Sequence, residues 1–260
     1  MVAIALIAGA QVGVALRLGL GMLCLQFAIG AANDFEDAPS DSVSKPDKPI
    51  PAGLLPRRVA GVVCATAAAL GLLAAATVGA GAFVVGAVGL ADGLVYDLRL
   101  KGTPLAPMPF AAGVGLLPVY AWLGVRGSVP VALFGIVALA VVAGAGLAVA
   151  NAYADLDADR KSNTASVATV LGEKWTLALN AVLLGGVQVV AMATTLVVAA
   201  TSPLLGVEAA GCGLGWLGLG LAALRKDRAR PLVWEVQAVG ILVIGAAWLM
   251  TLDSAGLLSR

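Results

Sequence analysis

The chain contains no histidine. Without imidazole there is no His-ligated zinc site and no histidine acid–base chemistry, so any catalysis must use Asp, Glu, Lys, Arg, Tyr or Ser. Charge is scarce as well: 12% of the 260 residues are charged, against about a quarter in a soluble domain. The 16 basic residues nearly balance the 15 acidic ones, and a net charge of +1 leaves no electrostatic footprint for nucleic acid. The three cysteines, Cys24, Cys64 and Cys212, lie inside apolar runs with no pairing or metal-ligand spacing, and read as buried thiols. No Lys or Arg precedes Arg17, so the start lacks the basic region of a signal peptide and reads as a spanning segment cut short.

What the chain has is apolar length. With 60% hydrophobic residues and a mean hydropathy of +0.99, it reads as a polytopic membrane protein. After the first segment, apolar runs cover 18–33, 59–78, 80–96, 105–125, 131–153, 175–200, 204–224 and 232–252. Each is near the roughly 20 residues that cross a bilayer as a helix. The first 33 residues are too few for two full spans and a turn. The expected fold is therefore all-α: a membrane helical bundle of eight full spans behind a short or partial N-terminal helix, forming one transmembrane domain over 1–260.

Alternating these runs across the bilayer sorts the charges. Lys45, Lys48, Arg57, Arg58, Arg99, Lys101, Arg160, Lys161, Lys174, Arg225, Lys226, Arg228 and Arg230 fall on one side, and only Arg17, Arg126 and Arg260 on the other. The positive-inside rule makes the first side cytoplasmic, as expected of a multi-pass protein of the plasma membrane if the source is bacterial. The two long loops, about 34–58 and 156–174, both face that side.

Each of those loops opens on acids. NDFEDAPSD (33–41) and NAYADLDAD (151–159) share N-x3-D-x3-D: Asn33, Asp37 and Asp41 in one, Asn151, Asp155 and Asp159 in the other. Steps of four residues place such side chains on one face of a helix or its last turn. Asp34, Glu36 and Asp157 enlarge the negative field. All-oxygen donors without nitrogen or sulfur select a hard cation, magnesium above all when a phosphate shares the coordination. Basic residues adjoin both files, Lys45 and Lys48 after the first and Arg160 and Lys161 after the second, and a third loop on the same side, YDLRLKGTP, adds Tyr96, Arg99 and Lys101. Acids beside Lys and Arg describe a diphosphate site.

Either stretch alone is as consistent with a solvated, helix-capping loop as with a site; the matched repetition on one side favours the site. Arg225, Lys226, Arg228 and Arg230 read as a membrane-surface anchor and stay outside it. Asp92 is open between a buried partner of Lys101 or Arg99 and an interfacial acid. Glu208 and Glu235 read as interfacial.

In this order NDFEDAPSD, KPDKPIPAG, YDLRLKGTP and NAYADLDADRKSNTASVATVLG resemble the motif set of the UbiA-type intramembrane prenyltransferases. That family carries N-D-x-x-D-x-x-x-D with a K-P-x-R-P-I-x-x-G continuation, then D-x-x-x-D followed by D-R-K and a distal L-G. The resemblance implies an all-helical bundle, typically of nine spans, around a central cavity. It implies a magnesium-dependent transfer from an isoprenyl diphosphate donor to an aromatic or other lipophilic acceptor within the lipid bilayer. Asn33, Asp34, Asp37, Asp41, Asp155 and Asp159 would be metal ligands. Lys45, Lys48, Lys101, Arg160, Lys161 and Asn151 would bind the diphosphate, Tyr96 would hydrogen-bond to it or shield the cation, and Asp155 or Asp159 would take the released proton. Two positions depart from the pattern: Lys48 stands where arginine is common, and Ala152 where a further acid often follows the asparagine. On that basis the first stretch is expected to hold more of the metal. The competing class is a cation-coupled transporter, but its acids would line a path near the midplane, and these lie at span ends on one side. A phosphatidyl-alcohol phosphotransferase would need D-G and A-R between its aspartates, which neither stretch supplies.

Overall fold

The computed structural model describes residues 1–224 and 230–258; Arg225, Lys226, Asp227, Arg228 and Arg260 lie outside the described residues. Its helices, in chain order, are α1 Val2–Ile7, α2 Val12–Ser44, α3 Arg57–Ala76, α4 Ala80–Val95, α5 Pro107–Arg126 and α6 Val131–Ala154. There follow α7 Leu156–Lys161, α8 Val167–Leu171, α9 Glu173–Ala199, α10 Leu204–Leu224 and α11 Arg230–Ser254. A π-helical turn, Tyr96–Leu100, continues α4. Among the described residues eight helices are long and apolar enough to cross a membrane, namely α2 to α6 and α9 to α11. The six residues of α1 are the short helix before them. This is the expected architecture of an integral multi-pass protein. It also follows from solvent: inside lipid only a helix satisfies each backbone N–H and C=O within its own segment.

Two compact units divide the chain. The first is Met1–Lys101 with Val119–Val129, and the second is Gly102–Pro118 with Pro130–Arg260. The division falls within α5, immediately after Pro118, a residue that interrupts the helical hydrogen-bond ladder because it has no N–H.

In lipid, where apolar burial drives nothing, helices associate by close packing of small residues. In the first unit a Cβ added to Gly71 of α3 would lie 2.9 Å from the Gly21 carbonyl oxygen of α2, and one added to Gly21 would lie 3.3 Å from that of Gly71. The second unit repeats the device between α10 and α11: a Cβ on Gly211 would lie 2.9 Å from Gly240 O, and one on Gly240 would lie 2.7 Å from Gly211 O. Replacing Gly71 with leucine should therefore destabilise the protein at or above the ~1–3 kcal/mol typical of overpacking. Gly135→Ala, with open space around its Cβ, should be neutral or mildly stabilising. Thermal unfolding of the two purified variants checks the contrast.

Some of the polar groups buried in the second unit are paired across helices. Asn180 Nδ2 of α9 donates to Gly146 O of α6 at 2.9 Å, and Gln237 Nε2 of α11 donates to Asn180 Oδ1 at 2.8 Å. Glu208 is not interfacial as its place near a span end suggested: it is fully buried, and Thr195 Oγ1 donates to its Oε1 at 2.7 Å. A single turn of α10 is enough to carry it inside, and a hydroxyl partner makes that burial tolerable. Glu235 is exposed, as expected. The three cysteines are free but half-buried, not buried, because their helices turn those flanks outward.

Candidate active site

The first acidic stretch is helical throughout, since α2 runs on to Ser44 and contains Pro39. That proline cannot donate to the carbonyl of Phe35 four residues earlier. Arg57, the first residue of α3, takes the freed acceptor: its Nε donates to Phe35 O at 2.7 Å, and its guanidinium lies 4.1 Å from the Phe35 ring centroid. A missing hydrogen bond thus becomes the point where the entry to α3 is tied to the acidic helix.

The acids of this helix divide between two faces. Asn33 Nδ2 donates to Asp97 Oδ1 at 3.0 Å, and Lys101 Nζ donates to Asp37 Oδ2. On the other face Lys48 Nζ bridges Asp41 Oδ2 at 2.7 Å and Asp34 Oδ1 at 3.2 Å. The expectation that Asn33, Asp37 and Asp41 share one face is corrected here. Each four-residue step advances about 40° around a helix of 3.6 residues per turn, so Asp41 stands about 80° from Asn33. Asp34 and Asp41, seven apart, differ by only about 20° and therefore meet the same lysine.

Asp41 is 5% exposed, the most enclosed acid of the stretch, whereas Asp34 is exposed. Burial pulls the Lys48 ammonium down, but its hydrogen bonds to Asp41 and Asp34 and their charges outweigh this, leaving its pKa above the ordinary lysine value. Lys48 therefore stays charged at neutral pH. Beneath it lies a cleft of about 480 Å³, with Leu23, Phe27, Ile50 and Val63 among its walls and Asp34, Asp41 and Lys48 at its polar end. An apolar trough ending in charge matches an amphiphile with an ionic head.

The second stretch straddles a break in the helix. Asp155 caps α6 and begins α7, and the four-residue ladder survives: Asp155 N donates to Asn151 O at 3.1 Å, and Asp159 N donates to Asp155 O at 2.9 Å. Tyr153 and Leu156 are fully buried in a cluster with Ala168 and Val233, which anchors this segment and leaves Asp155 exposed and Asp159 half-buried. Arg160 lies 3.8 Å from Asp157, an acid outside the repeated file. Behind it, Thr164 N donates to Asp159 O at 2.8 Å and Thr169 Oγ1 to Thr164 O at 2.8 Å, fixing the turn that follows.

Of the residues singled out in the sequence, the structure brings Asp34 and Asp41 to Lys48 on one face of α2, and sets Asn33 and Asp37, with Lys101, on the other. Tyr96 is half-buried at the start of the π-helical turn, and its carbonyl accepts from Lys101 N at 2.8 Å. In the second unit Asn151, Asp155, Asp159, Arg160 and Lys161 lie along one continuous segment. Lys45 and Lys161 are exposed and form no ion pair among the described residues. Asp92 pairs with neither Lys101 nor Arg99 among the described residues. Asp97 was missed. Its signal was present in YDLRLKGTP, but its partner is set by where the end of α4 meets α2, which no local pattern reports. Among the described residues no group of three or more carboxylates or thiolates stands close enough to hold a metal ion unaided.

This fold is found among solved structures. A UbiA homolog from Aeropyrum pernix K1 superimposes with a TM-score of 0.77 at 20% identity, covering 95% of this chain and 93% of that one. A UbiA homolog from Archaeoglobus fulgidus bound to DMAPP and Mg2+ gives 0.70 at 19% identity, with coverages of 97% and 94%. In sequence, the digeranylgeranylglyceryl phosphate synthase of Pyrococcus abyssi is 29% identical over 170 residues. That match takes in 61% of this chain and 58% of the relative, a little over half of its length. The family model for UbiA prenyltransferases matches residues 1–251, so nearly the whole chain, both acidic stretches included, belongs to the UbiA prenyltransferase family.

Proposed function

We propose that the protein transfers an isoprenyl group from an allylic isoprenyl diphosphate to a lipophilic acceptor, with magnesium as cofactor and diphosphate as leaving group. The observation that carries this reading is the group of Asp34, Asp41 and Lys48 at the polar end of an apolar cleft in the first unit. The active-site loops face the cytoplasm, where the soluble diphosphate product is released, in keeping with the charge sorting of the sequence.

The donor atoms fit magnesium. They are carboxylate and amide oxygens, and a hard ion bound through one or two carboxylates completes its shell with water and substrate phosphates, so no all-protein cage is required. Asp34, Asp37 and Asp41 with Asn33 would hold it in the first stretch, and Asp155 and Asp159 would contribute in the second. When bound, magnesium withdraws charge from the diphosphate and makes it a better leaving group.

The remaining work belongs to the chain. Lys48 and Lys101, each paired with acids of α2, can turn to phosphate oxygens once these acids engage a cation, and Lys45, Arg160 and Lys161 add positive charge. Asn151 and Tyr96 supply neutral polar contacts to the diphosphate. The allylic carbon–oxygen bond breaks with its electron pair leaving on the diphosphate, and apolar walls keep water from the carbocation. The acceptor donates an electron pair to that carbon, forming the new bond, and its proton passes to Asp155 or Asp159. A glyceryl phosphate lipid is the first acceptor to offer, given the product named in the Pyrococcus relative.

Purified protein with isoprenyl diphosphates of several lengths and candidate acceptors should release diphosphate only with magnesium. Chelation with EDTA should stop release, and added magnesium should restore it. Absence of both release and donor binding under every combination would overturn the reading.

A further inference from the structure

Asn33 and Asp37 on α2 meet Asp97 and Lys101 at the end of α4 as two successive rungs, with four residues between rungs on each strand of the ladder. The α4 side of this ladder is the π-helical turn Tyr96–Leu100, closed by the five-residue bond from Lys101 N to Tyr96 O at 2.8 Å. π-Turns inside α-helices are uncommon and concentrate at functional sites. Here the turn holds Asp97 and Lys101 as one rigid piece, so the rung at Asn33 and the rung at Asp37 are set together.

The chemistry of the upper rung is directional. An ionised carboxylate only accepts hydrogen bonds, so Asp97 can receive only the NH2 of Asn33 and dictates which way that amide points. Asn33 Oδ1 is then turned away from Asp97, and nothing among the described residues donates to it. An asparagine or serine at position 97 would hold the amide without adding charge, but could face either of its ends. The carboxylate is costly as a purely structural group: Lys101 offsets part of its charge, but Asp37 and Glu36 also lie within electrostatic reach, and its Oδ2 is buried without a hydrogen-bond partner among the described residues. We infer that Asp97 is a positioning residue which orients the Asn33 amide so that its carbonyl oxygen is presented to the cation of the diphosphate donor. Groups that hydrogen-bond to a metal ligand act in this way, fixing the orientation of the ligand atom.

This rests on the prenyl-transfer reading, and the test separates the two. Magnesium-dependent binding of inorganic diphosphate is measured by calorimetry on the full-length protein in detergent, alongside the magnesium dependence of turnover. The proteins compared are wild type, Asp97→Asn, Asp97→Ala, Asn33→Ala and the Asn33→Ala/Asp97→Ala double variant. Losing the orienting carboxylate should raise the magnesium needed for half-maximal diphosphate binding by about 10–100-fold. Saturating magnesium should recover most of the turnover. In the Asn33→Ala background, Asp97→Ala should add little, because the residue acts through an amide no longer present. Asp97→Asn is close to isosteric and decides the matter if the alanine variant does not fold. An unchanged magnesium requirement in the Asp97 variants, or a double variant carrying the product of both single losses, would overturn the inference while leaving prenyl transfer intact. A wild-type protein that binds no diphosphate with magnesium would remove both.

Discussion

Changing Asp155 and Asp159 together to asparagine is expected to abolish diphosphate release while the protein still folds. Oriented charge at a site of bond cleavage is worth about 10²–10³ in turnover for a single group. Here two groups go at once, and with them the carboxylates available to take the acceptor's proton. Stability should change little. Asp155 is exposed, Asp159 is half-buried, and the segment is anchored by Tyr153 and Leu156 on its other side. The backbone bonds from Asp155 N to Asn151 O and from Asp159 N to Asp155 O do not involve the side chains and persist. Assay of released diphosphate together with thermal unfolding distinguishes loss of chemistry from loss of fold. An active double variant would show that the second stretch is a solvated loop and that the first works without it.

Lys101→Ala is expected to be nearly as damaging, for a different reason. Its ammonium is the partner of Asp37 and is held by the same π-helical turn that carries Asp97. Removing it strips positive charge from the leaving group and leaves an acid of α2 without its ion pair. Turnover should fall by about 10²–10³ and the KM for the donor should rise. Lys101→Arg should restore part of the activity, because charge is kept while reach and geometry change. Kinetics with one donor and saturating acceptor measure both effects. A variant with wild-type kinetics would place Lys101 among the interfacial lysines of the membrane surface.

The eight spans were legible because hydropathy and length alone determine what crosses a bilayer, and the short helix before them followed from counting residues. The two acidic stretches stood out as a candidate site because their matched oxygen donors repeat, each time beside basic residues. Their three-dimensional arrangement was less so. A four-residue repeat reads as one face, yet its angular drift sends Asp41 to Lys48 and leaves Asn33 and Asp37 to the end of α4. Arg57 entered the sequence reading only as a charge on one side of the membrane, and its bond to the Phe35 carbonyl freed by Pro39 has no local signature. Asp97 and Glu208 share a common lesson. Each acquires its partner from another helix, Asn33 in one case and Thr195 in the other, and neither partner can be inferred from spacing within its own segment.

The contrast between enzyme and transporter is decided by one experiment on the protein reconstituted into liposomes. An isoprenyl diphosphate and a glyceryl phosphate lipid are supplied with magnesium, and prenylated acceptor and free diphosphate are counted together. Prenyl transfer predicts equal amounts of the two products, none in EDTA, and recovery on returning magnesium. Cation flux across the liposome membrane with neither product formed would contradict it.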